Sequence, residues 1–175
     1  MSSTEDIARS KKRLMLISRV NAFSVIVLAL LFGALSLLGR SAPGCLVGLG
    51  LVGAGVVEVI GHRRLDAGQS GARHRMVLGQ LIMISVVLIY CSWRLFSFDA
   101  ADPLAGMPDL AQILQGIADM GIVNLEMLKA QVGWAYVLTY RLVAVVVTLS
   151  QGLLALYYWR AVGGLVAAST SVDSV

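Results

Sequence analysis

Four long apolar stretches break the polar pattern of this chain, and charge is confined to the segments between them. No charged residue occurs from Val20 to Gly39. Seventeen uncharged residues separate Arg40 from Glu58, 18 separate Arg75 from Arg94, and 18 separate Arg141 from Arg160. A helix needs about 20 mostly apolar residues to cross a bilayer. The pattern therefore predicts an all-α, polytopic membrane protein: a bundle of four transmembrane helices at about 17–38, 43–61, 76–96 and 134–159. Residues 1–16 and 161–175 form polar tails outside this domain of residues 17–160.

The first stretch follows the basic cluster Lys11, Lys12, Arg13, the order found in a signal peptide. Its apolar core exceeds the roughly 7–15 residues of such peptides, and Gly-Arg-Ser-Ala-Pro makes a poor cleavage site. It reads as an uncleaved first span. The GRSAPG turn is a hairpin connection, with Pro43 placed for a helix start.

Between the third and fourth stretches the pattern changes. Residues 97–133 carry Asp99, Asp102, Asp109, Asp119 and Glu126 against the single base Lys129. After Pro108, apolar Leu110, Ile113, Leu114, Ile117, Leu125, Leu128 and Val132 recur at helical spacing, with acids and glutamines mostly between them. This predicts an amphipathic helix over about 108–132, with a break near Gly121. Its polar face is acidic, which suits capping the other helices or docking a partner better than lying on lipid.

Charge fixes the expected orientation. Arg9, Lys11, Lys12, Arg13, Arg63, Arg64, Arg73, Arg75 and Arg160 fall on one side, and Arg40, Arg94, Lys129 and Arg141 on the other. The positive-inside bias puts both termini in the cytoplasm of a plasma (inner) membrane and the amphipathic helix outside. Tyr136 and Tyr140 at one end of the fourth span, and Tyr157, Tyr158 and Trp159 at the other, match aromatic belts at two interfaces.

Composition narrows the functional classes. The chain has 175 residues, is 58% hydrophobic and 14% charged, and carries a net charge of +4. Juxtamembrane bases account for that charge, and no long basic-aromatic surface is left for nucleic acid. Cys45 and Cys91 form no CxxC, so they carry no metal or redox spacing. No nucleophile triad or phosphate loop has workable spacing, and neither an enzyme nor a cofactor is expected.

Four constellations remain. Glu58 is an acid inside a span. Counting back from the two adjacent turns puts Gln80 and Ser24 at its depth. Desolvation favours an uncharged carboxyl, which suits a proton-binding group; the plainer expectation is that Glu58 reaches the interface and pairs with Arg63, Arg64 or Arg75. Glu58, His62 and His74 could approach one another, but the surrounding bases oppose a cation, so no metal is expected. Gly44 and Gly48 form GxxxG with Gly55 on the same face, a surface for another helix of the chain or of a second copy. Arg94 and Arg141 share a level near Asp99 and Asp102, where interfacial salt bridges are expected and an anion-binding patch is the alternative. These features lead to the expectation of a small non-enzymatic assembly, accessory or scaffold subunit packing through its second span. The alternative is a small channel or proton- or cation-coupled transporter using Glu58. Expected partners are the lipid bilayer, other membrane proteins or a second copy.

Overall fold

The computed structural model describes residues 3–69, 71–99, 102–104, 108–121 and 124–172. Five helices run in order: α1 (Ser3–Leu38), α2 (Ala42–Asp66), α3 (Ala72–Phe96), α4 (Pro108–Asp119) and α5 (Leu125–Val172). No strand occurs among the described residues. Four segments are long and apolar enough to cross a membrane: Ala8–Leu38, Ala42–Asp66, Ala72–Phe96 and Leu125–Gly164.

The helices hide polar groups and display apolar ones. On α1 the buried stripe is Leu14, Ser18, Ala22, Val25, Ala29 and Ser36, while Phe23, Leu28, Leu31, Leu35 and Leu38 face outward. Only 11–33% of each apolar window is buried, so most of its side chains need an apolar surrounding other than the protein. Water would not tolerate exposed apolar faces of this extent, whereas hydrocarbon would. Four apolar helices suggest a multi-pass membrane protein.

The chain forms two compact units, Met1–Val87 with Val147–Val175, and Leu88–Val146. In the first unit α1 and α2 form a hairpin. Arg40 takes a left-handed φ of 51°, and Ser41 N–H closes on the Ser36 carbonyl at 2.8 Å, which ends α1. Ser41 then caps α2 by accepting from Gly44 N–H, and Pro43 occupies the first turn. The turn into α3 uses Gly68 at φ 66°, where a Cβ would be strained. Leu14, Leu65, Ala72, Met76, Tyr158 and Val162, drawn from α1, α2, α3 and α5, make one apolar cluster.

In the second unit the sequence-predicted helix over 108–132 is two elements. Gly121 sits at φ 71° and ends α4. Asn124 then starts α5, accepting from Glu126 N–H through its side chain at 2.8 Å. Residues 125–132 therefore open a long fourth apolar helix and do not extend the amphipathic one. On α4, Leu114 is buried and Leu110 and Ile117 are half-buried, with Asp109, Gln112, Gln115 and Asp119 exposed. Ile113, expected on the apolar face, is also exposed.

The helices are longer than the apolar runs. α1 extends through residues expected as a tail, and α5 extends past Trp159 to Val172. Packing supplies the reason: Leu14 and Val162, just outside the uncharged stretches, are core residues at 0% and 1% exposure.

Candidate functional site

Glu58 is the most unusual group in the first unit, a carboxyl at 2% exposure inside an apolar helix. The α2 sequence forces this placement. Glu58 stands one turn past Ala54 and Gly55 and one turn before Gly61 and His62, all buried on the inward side of α2. Small residues at these positions let other helices come close enough to cover the acid.

Three side chains from two helices donate to it. Tyr158 O–H on α5 reaches Oε1 at 2.6 Å, and Ser18 O–H on α1 reaches the same oxygen at 3.4 Å. Asn21, also on α1, donates its amide N–H to Oε2 at 2.8 Å. Gln80 on α3, itself at 1% exposure, adds a further side-chain contact to the carboxyl. The node thus gathers α1, α2, α3 and α5. No Lys, Arg or His forms an ion pair with Glu58 among the described residues. Neutral donors alone replace the water that a carboxylate would otherwise hold.

Of the expected partners, Gln80 meets Glu58 and Ser24 does not. Ser24 is exposed, roughly 120° around α1 from the buried stripe at 100° per residue. The hairpin reflects near Gly39 and Arg40, earlier than the turn centre assumed from the sequence, so Glu58 lies beside Ser18 and Asn21. The second turn behaves as expected: a Cβ on Gly79 would sit 3.2 Å from that of Glu58. Pairing with Arg63, Arg64 or Arg75 is absent, so the acid is held inward and does not reach for the interface.

Ser18, Asn21 and Tyr158 were missed in the sequence. Asn21 is the only amide in the uncharged run of span one, a signal that was available. Tyr158 reads as an interfacial aromatic beside Tyr157 and Trp159, yet it is fully buried while its two neighbours are exposed. Only its place on the inward stripe with Ala155 and Val162 distinguishes it.

The histidines are not brought together as a ligand set. His62 is buried with Nδ1 unpartnered, while His74 is exposed and packs edge-on to Trp159 at 5.7 Å between ring centres. Among the described residues, no group of three His, Cys, Asp or Glu side chains is placed to hold a metal.

The glycine face of α2 is covered by α1. A Cβ on Gly48 would lie 3.0 Å from Gly33 Cα and 3.2 Å from the Ala29 carbonyl, and one on Gly55 would meet Ile26 at 2.6 Å. Gly44 opposes Ser36 in the same way. A second face receives α3: a Cβ on Gly61 would lie 2.8 Å from Met76 N, and Gly50 opposes Val86. The face carrying Gly44, Gly48 and Gly55 is therefore internal to the chain and faces α1, not α3 or a second copy.

In the second unit, Arg94 is engaged by tyrosines. Its Nε–H donates to Tyr140 Oη at 3.1 Å, and its guanidinium lies 5.5 Å and 5.7 Å from the Tyr136 and Tyr140 ring centres. Arg141 points outward, as do Asp99 and Asp102. Cys45 and Cys91 are both free thiols.

No protein family, no curated protein and no solved structure matches this chain. The site must be read from its own chemistry.

Proposed function

We propose that this chain is a small non-enzymatic membrane protein, a four-span bundle that serves as an assembly, accessory or scaffold subunit. In this reading it lies in a plasma-type membrane with both ends cytoplasmic, and α4 offers its acidic face to a partner outside. The supporting observation is that Glu58 and both glycine-bearing faces of α2 are engaged by the chain's own helices. Such a core holds one helix arrangement. Contact with other proteins then falls to the outward helix faces and α4, not to the glycines of span two.

One observation favours a second reading. Among the described residues Glu58 has no cationic partner, and two nearby buried polar atoms, Gln80 Oε1 and His62 Nδ1, have no hydrogen-bond partner. A proton or small cation passing through this node would satisfy them, as in a small transporter.

Glu58→Gln separates the two, because it keeps the shape and removes the charge. Under the subunit reading the variant is less stable or assembles poorly, and proteoliposomes show no pH-driven flux before or after the change. A variant that folds and co-purifies normally, yet loses a flux the native protein has, would transfer the assignment to transport.

A further inference from the structure

The second unit contains a cavity of about 390 Å³ lined by Arg94, Val132, Ala135, Tyr136, Thr139 and Tyr140. We propose that this cavity binds the phosphate of an anionic membrane lipid, with Arg94 as the anion-recognising group.

The wall is set by helical geometry. Val132, Ala135, Tyr136, Thr139 and Tyr140 follow an i, i+3, i+4, i+7, i+8 pattern and so share one face of α5. Arg94 comes from the last turn of α3. Its guanidinium is held along one edge: Nε–H is committed to Tyr140, while the two tyrosine rings flank the group. Tyr136 is steadied in turn by Phe98, stacked at 4.7 Å, and by a hydroxyl donated to the Arg94 carbonyl at 3.5 Å. A planar guanidinium fork fits two oxygens of a phosphate.

Charge requires a counterpart here. Arg94 is half-buried between two tyrosine rings, and an anion at the guanidinium adds the charge pairing that rings alone do not supply. The remaining wall is an aliphatic and aromatic surface with one threonine hydroxyl, unsuited to a small hydrated anion by itself. It suits the headgroup region of an amphiphile, with the phosphate at the guanidinium and the headgroup carbons beyond it against Val132 and Ala135. Depth agrees with this. Arg94 ends the uncharged run of α3, and Trp93 and Trp134 in the same unit are 43% and 70% exposed, as expected of aromatics at a headgroup level.

The test uses the full chain, purified in mild detergent and analysed by native mass spectrometry with phosphatidylglycerol, phosphatidylcholine or inorganic phosphate. Native protein should retain phosphatidylglycerol in preference to phosphatidylcholine. Arg94→Gln should weaken that retention by roughly tenfold or more, the scale of losing hydrogen bonds to a charged group. Arg94→Lys, which keeps charge but not the fork, should fall between them, and Arg141→Gln, outside the cavity, should match the native protein. If Arg94→Gln does not fold, the Lys variant and Thr139→Val carry the comparison. Equal retention of the two lipids, or equal loss in the Arg94 and Arg141 variants, would overturn the site. Inorganic phosphate displacing the lipid at equal concentration would overturn the lipid as its source.

Discussion

Tyr158→Phe isolates one hydrogen bond of the Glu58 node. The substitution keeps the ring that packs with Leu14, Leu65, Met76 and Val162 and deletes only the hydroxyl. That hydroxyl makes the shortest contact to the carboxyl, 2.6 Å, in a side chain with 0% exposure. Hydrogen bonds to charged groups contribute about 1.5–3 kcal/mol in soluble proteins. Interhelical bonds in membranes average about 0.6 kcal/mol, with maxima near 1.7, because the separated helices find other partners in lipid. Glu58 has no cationic partner among the described residues, and the remaining Ser18 donor holds Oε1 only at a longer 3.4 Å. The expected destabilisation is therefore about 1–2 kcal/mol, at the high end of the membrane range. Reversible unfolding in mixed micelles measures it, with Tyr157→Phe as the control. Tyr157 is 39% exposed and its loss should fall within about 0.5 kcal/mol of zero. A cycle combining Tyr158→Phe with Glu58→Gln should show the two changes to be less than additive. If Tyr158→Phe costs no more than Tyr157→Phe, the node does not hold these helices together.

The glycines of α2 should divide by what their missing Cβ would meet. Gly48→Ala and Gly61→Ala run into backbone atoms and should destabilise by about 1–3 kcal/mol, whereas Gly53→Ala meets open space and should be neutral or stabilising in the same unfolding assay. Reporter fusions after residue 68 and at the C-terminus should behave as cytoplasmic, and one near residue 105 as external; an external signal at residue 68 would reverse the proposed orientation. Maleimide in detergent should modify half-buried Cys45 before Cys91, which is 2% exposed, with the rates read by mass spectrometry. Equal rates would contradict the packing around Cys91.

The apolar runs were legible because a membrane span has to be written as uncharged length, and apart from Gly39 and the cap residue Ser41 each run from Val20, Ser41, Met76 and Leu142 onward lies within a helix. Their ends were not legible. Charge marks where hydrocarbon becomes costly but does not stop a helix, so α1 and α5 continue wherever residues such as Leu14 and Val162 still find neighbours. Gly121 was readable as a break, but not that α5 would restart within a few residues, because that depends on Asn124 capping a new first turn.

For the site, the decisive difficulty was rotation about a helix axis, not depth. Turn counting correctly put Gly79 and Gln80 beside Glu58, because the α2–α3 connection is nearly symmetric about residues 68 and 69. On α1 the same counting selected Ser24, roughly one turn from the residues that meet the acid and on the wrong side of the helix. In a soluble helix the apolar stripe reveals the inward face; here both faces are apolar and lipid rewards the outer one equally. The inward face of α1 is marked instead by small and polar residues, Ser18, Asn21, Ala22, Ala29 and Ser36, opposite the small residues of α2. Read by that rule, Asn21 becomes a natural neighbour of Glu58, and Ser24, roughly 120° around the helix from that stripe, does not. Tyr158 follows from the same reasoning, since an aromatic placed one turn past Ala155 and one before Val162 faces the core whatever its depth. The polar node is thus the inward signal that hydrophobicity supplies in water.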